Sequence, residues 1–146
     1  MKESKRKVLI ATGGTGGHVF PAYSLAKHLI KNQSSVDIVT DKRGFKFLKN
    51  YQDIKLKVIS SATIFTKNPI TMIVSLIKIK LAFISSLIFL FKSKPNIVFG
   101  MGGYSSFPVC IAAKILNIPF IINENNLIIG KANKFLLPFA HKIFVS

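Results

Sequence analysis

The stretch from residue 8 to residue 18, which reads VLIATGGTGGH, decides the fold of this chain. A short apolar run leads directly into a glycine loop, and a helix-like segment follows, which predicts a strand, a turn and a helix in that order. Glycines permit positive φ and let a ligand approach the main chain, and the N-terminus of the following helix favours anions. The stretch therefore predicts a nucleotide-type or phosphate-type site that ends in a titratable histidine, His18.

Two common phosphate-binding motifs are excluded by the spacing of this loop. It has no lysine, so it is not a P-loop, and position 19 is valine, so it does not complete the dinucleotide pattern G-x-G-x-x-G. The loop therefore predicts a nucleotide-type or phosphate-type site but does not identify the ligand.

Strand-like and helix-like segments alternate along the rest of the chain, which predicts an α/β fold with a Rossmann-like parallel sheet. A second glycine loop, Gly100-Met101-Gly102-Gly103-Tyr104, follows the fourth strand. In the strand order 3-2-1-4-5-6 the first and fourth strands are neighbours, so both loops open into one crevice. We expect strands over residues 7–12, 36–40, 56–60, 96–100, 119–123 and 142–145, and helical segments over 21–32, 41–50, 70–91, 107–116 and 130–139.

Composition narrows the class of protein. A length of 146 residues indicates one domain with a sizeable core. The single cysteine, Cys110, excludes a disulfide framework and a cysteine-rich zinc site, and is expected to be a small buried residue.

The charge is strongly basic, with 21 Lys and Arg against five acidic residues. Such a balance points to an anionic partner, a nucleic acid or a membrane surface, although coding bias toward lysine accounts for part of it. A nucleic-acid site would interleave aromatic and lysine residues on a sheet face. The phenylalanines here cluster in helix-like apolar segments instead, so no nucleic-acid partner is expected.

The segment 70–91 is almost entirely apolar and would be about 33 Å long as a helix. Lys78 and Lys80 lie near its middle, where each would cost about 2.5–3.5 kcal/mol at the centre of a bilayer. Lys67, Lys92 and Lys94 flank its ends. The pattern favours a helix that packs on the sheet and also exposes an apolar patch rimmed by lysines, for an anionic membrane surface. A pair of buried crossover helices and a true membrane span are the two alternatives.

Three motifs together carry a resemblance to a known family. The run GGTGGHVFPA at 13–22, then Met101-Gly102-Gly103-Tyr104, then Asn123-Glu124-Asn125-Asn126 closely resemble the N-terminal domain of the MurG family of bacterial glycosyltransferases. The resemblance covers essentially the whole chain. It implies the N-terminal half of a GT-B glycosyltransferase, in which two Rossmann-like domains enclose the active site without a metal or other cofactor.

The family's activity supplies further expectations. Its members transfer N-acetylglucosamine from UDP-GlcNAc to lipid I, an undecaprenyl-linked acceptor, to form lipid II for peptidoglycan. The resemblance implies a peripheral protein at the cytoplasmic face of the inner membrane.

Residues 1–146 would be the acceptor-binding, membrane-facing domain, with the C-terminal donor domain absent from this sequence. The chain alone is then expected to have little activity and to need a separate donor domain. The alternative is an inactive fragment or a non-catalytic membrane-binding module.

The resemblance also implies site residues, position by position. Asn126 would hydrogen-bond the GlcNAc sugar. His18 would lie near the acceptor hydroxyl, either as general base or as a residue that orders the loop. Glu124 is the second candidate catalytic residue, on the acceptor side beside Tyr104. The backbone of the two loops would bind substrate, the first loop contacting the donor or its diphosphate, through Gly14, Thr15, Gly16, Gly17, Gly102 and Gly103.

One departure from the family pattern stands in the third motif. The family usually has His-Glu-Gln-Asn where this chain has Asn123-Glu124-Asn125-Asn126. The glutamate and the final asparagine are kept, and any hydrogen bond made by the missing histidine is in doubt.

Overall fold

The computed structural model describes residues 5–51, 53–61 and 68–145 of the chain. Within these ranges six parallel strands form one sheet in the order β3-β2-β1-β4-β5-β6, which confirms the predicted topology. The apolar runs of the inner strands are buried on both faces, as a doubly covered parallel sheet requires. The strands are β1 Lys7–Ala11, β2 Ser35–Thr40, β3 Lys55–Val58, β4 Ile97–Gly100, β5 Phe120–Glu124 and β6 Lys142–Val145.

Helices cover the two faces of the sheet and give the molecule two apolar clusters. On one face, Val19, Ala22 and Ala26 of the first helix pack with Ile38 and neighbouring strand residues. On the other face, the third and fourth helices pack over Phe120. The helices are α1 Gly16–Lys31, α2 Lys42–Leu48, α3 Pro69–Ser93, α4 Ser106–Ile115 and α5 Lys131–Leu136, and a short 3-10 turn, Leu137–Phe139, follows.

The start of α1 differs from the sequence expectation. The helix begins at Gly16, so Gly16, Gly17 and His18 form its first turn, and Pro21 lies inside it. The prediction of a start at residue 21 was wrong because it took the glycines as loop and the proline as the first helical residue. Since a proline has no N–H, the carbonyl of Gly17 loses its helical partner. Asn125 Nδ2 donates to that carbonyl oxygen at 3.5 Å instead.

The long apolar segment is one continuous helix, α3, rather than a pair. It is long and apolar enough to cross a bilayer by length and composition, and 17% of its most apolar window is buried. Its second half buries Ala82, Ser86 and Leu90, mainly against α4. Its first half is exposed, with Ile70 71% and Ile77 54% accessible. Lys67, expected to flank this helix, lies outside the described residues.

Candidate functional site

The two glycine loops interlock at the carboxyl ends of β1 and β4. Gly103 has φ +81° and lies against the backbone of Gly13, so that a Cβ at 103 would lie 2.5 Å from the Gly13 carbonyl oxygen. Ser105 Oγ donates to the carbonyl oxygen of Thr12 at 3.0 Å. Only glycine permits both this φ and this close approach of the two backbones. The two loops therefore pack together as one unit at this edge of the sheet.

A buried carboxylate, Asp41, holds the first loop from the side of β2. Its Oδ1 accepts hydrogen bonds from the N–H of Gly14 (3.2 Å) and of Gly44 (2.8 Å), and its Oδ2 accepts one from Ser61 Oγ at 2.7 Å. Burial acts to raise the pKa of this carboxyl, but these hydrogen bonds and the nearby Arg43 hold it below its ordinary value. Asp41 therefore stays ionised at neutral pH and fixes the first loop relative to α2.

A second buried carboxylate, Glu124 at the end of β5, organises the segment that follows it. Its Oε1 accepts from the N–H (3.0 Å) and the side-chain amide (2.7 Å) of Asn126. Its Oε2 accepts from Gly130 N–H and from Asn133 Nδ2, both at 2.9 Å. Burial acts to raise the pKa of Glu124, and the four hydrogen bonds bring it below its ordinary value. The carboxylate is thus a charged anchor that shapes the loop between β5 and α5.

The second glycine loop, His18 of α1 and the segment held by Glu124 line an open pocket of about 180 Å³, which we call the cleft pocket. A single water needs about 10–15 Å³, so the pocket has room for a sugar-sized group. It brings together these residues predicted from the sequence: His18, Gly102, Gly103, Tyr104, Glu124 and Asn126. It also contains residues that were not predicted: Gly130, Lys131, Ala132 and Asn133.

The other predicted binding residues do not line the cleft pocket. Thr15 and Gly17 are exposed, and Gly14 and Gly16 are half-buried, along the turn and the first turn of α1. Their roles toward a donor stay predictions.

His18 lies directly on the second loop. A Cβ at Gly102 would be 2.7 Å from His18 Nδ1, so the imidazole packs on the Gly102 backbone. Within the part of the chain that the structure describes, this buried Nδ1 has no hydrogen-bond partner. A histidine base is usually oriented by a group bonded to its second nitrogen, and no described residue does so here.

Asp41, Lys131 and Asn133 are among the residues of the site that were missed from the sequence. Asp41 carries a recognisable signal, because an aspartate after a strand and three residues before Gly44 is a typical helix N-cap. Asn133 and Lys131 carry none, since a helix of six residues is too short to give a periodic pattern. Asn133 is buried, and its Oδ1 has no partner among the described residues, which leaves an acceptor at the cleft pocket.

The altered third motif is internally bonded. Asn123 Nδ2 donates to Asn125 Oδ1, and the carbonyl oxygen of Asn123 accepts from Asn133 Nδ2 at 3.4 Å. The two amides that replace the family's histidine and glutamine therefore bond to each other at the edge of the site. Among the described residues, no group of three His, Cys, Asp or Glu is placed to hold a metal ion.

Comparison with known families gives a match over almost the whole chain. The glycosyltransferase family 28 N-terminal domain matches residues 8–145. Among curated proteins, the chain is 40% identical over 139 residues to the UDP-N-acetylglucosamine--N-acetylmuramyl-(pentapeptide) pyrophosphoryl-undecaprenol N-acetylglucosamine transferase of Pelagibacter ubique, and 42% identical over 135 residues to that of Rhizobium etli. These alignments cover 95% and 92% of this chain but 38% and 36% of the relatives, so the chain spans little more than a third of their length.

Solved structures with the same fold were also found. The crystal structure of Acinetobacter baumannii MurG superposes with a TM-score of 0.81 at 29% identity, over 96% of this chain and 41% of that one. A putative UDP-N-acetylglucosamine 2-epimerase from Listeria monocytogenes superposes with a TM-score of 0.72 at 15% identity, over 98% of this chain and 40% of that one, a likeness of fold alone.

Proposed function

Because this chain belongs to glycosyltransferase family 28, through the N-terminal domain of that family, we propose that it forms the acceptor-binding part of an enzyme that transfers N-acetylglucosamine from UDP-GlcNAc to lipid I. The Rossmann-like sheet is that of the N-terminal half of GT-B glycosyltransferases. The product would be lipid II for peptidoglycan.

The observation that carries this proposal is the cleft pocket. Backbone contacts of Gly103 with Gly13, about 90 residues apart in sequence, join the two glycine loops, and the charged anchor Glu124 presents Asn126 beside them. Backbone N–H groups and amides are suited to bind a diphosphate and sugar hydroxyls. Such a preorganised polar surface lowers a barrier by holding reactants together and by stabilising the leaving diphosphate.

The same geometry divides the roles of the two candidate catalytic residues. Glu124 uses both carboxylate oxygens on the protein's own donors, so we propose that it positions Asn126 and Asn133 rather than moving a proton. His18 faces the cleft pocket but has no described partner at Nδ1. A histidine base needs a group bonded to its second nitrogen to orient the imidazole, and no described residue supplies one at Nδ1. This favours the role in which His18 orders the loop and contacts substrate.

A single substitution separates these roles of His18. In an enzyme reassembled with a donor domain, we expect His18→Ala to weaken GlcNAc transfer by roughly tenfold and to leave UDP-GlcNAc binding nearly unchanged, as for a lost acceptor contact. Loss of about 100-fold or more in turnover, with an altered pH profile, would instead assign the general base to His18.

Transfer needs both substrates, and we propose that the donor base and ribose are bound by a domain outside this sequence. The test is GlcNAc transfer from labelled UDP-GlcNAc to a lipid I analogue, by this chain alone and with a separately expressed MurG-type C-terminal domain. Activity only in the mixture supports an acceptor domain that needs a partner. A folded chain that is inactive in both supports the alternative, a non-catalytic membrane-binding module or inactive fragment.

We propose a peripheral location at the cytoplasmic face of the inner membrane, through the first half of α3. That half exposes a run of large apolar side chains, and Lys78 and Lys80 lie among them. The second half packs on α4, so lipid cannot surround the whole helix as it would surround a span. Apolar burial with lysines near an anionic surface suits an interfacial helix.

Membrane binding is measured by co-sedimentation with anionic liposomes. We expect the chain to pellet at low salt and to be released by high salt or detergent. Ile77→Ser, at an exposed position of α3, should weaken pelleting, while Ile115→Ser, at an exposed position of α4, should not. Absence of pelleting at low salt, or equal effects of both variants, would contradict this location.

A further inference from the structure

A second cavity lies on the other side of the first glycine loop, between the ends of β2 and β3 and the middle of α3. This cleft, of about 250 Å³, is lined by Asp41, Lys42, Arg43, Ile59, Ser60, Ser61 and Lys78. It shares no lining residue with the cleft pocket. Three separate segments of the chain therefore bring their polar side chains to one place, which we call the cationic cleft.

The charges of the cationic cleft do not balance. Lys42, Arg43 and Lys78 each contribute a positive charge, and Asp41 is the one carboxylate among the described lining residues. Both Asp41 oxygens are already occupied by two backbone N–H groups and the Ser61 hydroxyl. Arg43 forms an ion pair with Asp41, with Nη2 3.8 Å from Oδ2, but this distance is beyond a hydrogen bond and the Arg43 side chain is largely exposed, so the guanidinium can still bind a second anion.

The position of Arg43 ties this cleft to the first loop. A Cβ at Gly14 would lie 3.5 Å from Arg43 Nη2, so the guanidinium lies beside the turn. A guanidinium offers a planar set of donors that matches phosphate oxygens, and an ammonium binds phosphate as a point charge. Three cations against one carboxylate leave the lining of the cationic cleft with a net positive charge, which attracts an anion.

We propose that the cationic cleft is a binding site for a phosphate group, held by Arg43 and Lys78 with Lys42 at its rim. The ligand is a phosphate-type anion, either free in solution or on the headgroup of a membrane lipid. Lys78 lies on α3 among the exposed apolar residues of its first half, so a headgroup bound here would sit next to an inserted helix. The site itself stands apart from glycosyl transfer and can be tested without it.

The chain offers a matched control for Lys78. Lys80 lies two residues further along the same helix, is likewise exposed, and faces a different cavity, with Phe83 and Phe107. Lys78→Gln and Lys80→Gln thus remove the same charge from the same helix, but only the first removes it from the cationic cleft. Arg43→Gln removes the second proposed ligand without touching α3.

The first measurement is a titration of the folded chain with inorganic pyrophosphate, monitored by isothermal titration calorimetry. It is made at about 0.1 M salt, where interactions between distant charges are largely screened. We expect Lys78→Gln and Arg43→Gln each to weaken binding about tenfold, the effect of one lost charge-assisted hydrogen bond. Lys80→Gln should leave the affinity within about twofold.

The second measurement is sedimentation with vesicles of phosphatidylglycerol and phosphatidylcholine, compared with phosphatidylcholine alone. If the ligand is a lipid headgroup, Lys78→Gln and Arg43→Gln weaken binding to the anionic vesicles more than Lys80→Gln does, even where free pyrophosphate binds poorly. Equal effects of Lys78→Gln and Lys80→Gln in both measurements, or no effect of Arg43→Gln in either, would overturn the proposal.

Discussion

At the scale of single residues, two buried carboxylates hold the loops around the site in place. Asp41 and Glu124 are buried to 1% and 3% exposure, and their oxygens accept hydrogen bonds from backbone and amide donors. Such bonds to a charged acceptor are stronger than neutral ones. Each carboxylate therefore fixes the position of the loop whose donors it accepts from.

Glu124→Gln tests this at β5. A glutamine presents an NH₂ group to donors that need an acceptor, so we expect the free energy of unfolding to fall by about 1–3 kcal/mol in urea denaturation at pH 7. Asp53→Asn, at an exposed carboxylate paired with Lys27, is the control and should change it much less. An equal loss in both variants would contradict the anchoring role.

The pH dependence of stability follows from the same group. The pKa of Glu124 is lower in the folded chain than the ordinary value of about 4.3 for an unfolded one. The stabilisation that the ionised Glu124 gives the folded state is therefore complete above about pH 5, and it is lost as the pH falls through the folded-state pKa. We expect Glu124→Gln to narrow the difference in stability between pH 7 and pH 4, measured by urea denaturation, and an unchanged difference would refute the assignment.

Urea denaturation also distinguishes a glycine that the interlocked loops require from one that can be replaced. Gly103→Ala places a Cβ at positive φ against the Gly13 backbone, so we expect a loss of about 2–5 kcal/mol of unfolding free energy. Gly17→Ala lies in the first turn of α1, where a Cβ meets only Thr15 Oγ1 at 3.7 Å. There alanine should be neutral or stabilising by up to about 1 kcal/mol. The reverse order would contradict the interlocked loops.

At the scale of elements, the two halves of α3 differ in packing, because the second half buries residues against α4 and the first half is exposed. Leu90→Ala, in the buried half, should cost about 2–5 kcal/mol of unfolding free energy because it leaves a cavity under α4. Ile77→Ala, in the exposed half, should change it by no more than about 0.5 kcal/mol. Chemical denaturation of both variants checks the contrast, and a large loss at Ile77 would mean that this half is also packed.

The strands and helices also show how much of the fold could be predicted from the sequence. The strands and both loops followed from apolar runs and glycines, because buried parallel strands and tight turns leave local signals. The strand order followed from the Rossmann-like class that the alternation of strands and helices predicts. The start of α1 did not, because Pro21 lies inside the helix and a side chain distant in sequence, Asn125, bonds the carbonyl that the proline leaves free. The site residue Asn133 could not be predicted either, since only the fold brings it to Glu124.

At the scale of the whole molecule, Cys110 reports on global unfolding. It is fully buried against Gly100 beneath the second loop, and burial raises the pKa of its thiol to about 12. We expect iodoacetamide to modify it at pH 7.5 no faster than the chain unfolds, so that sub-denaturing urea accelerates the reaction in step with the population of unfolded chain. Rapid reaction in native buffer would show that α4 opens locally.

The contact of Gly103 with Gly13 has a consequence for the history of such a chain. A side chain at Gly13 would collide with Ser105, and a side chain at Gly103 would collide with the backbone of Gly13. Neither of these two positions can therefore gain a side chain by a single step, because that step already collides with the facing turn. Variation is then expected to accumulate at exposed positions such as Leu127, Ile128 and the first half of α3, where new side chains meet solvent, while Gly13 and Gly103 are inherited together.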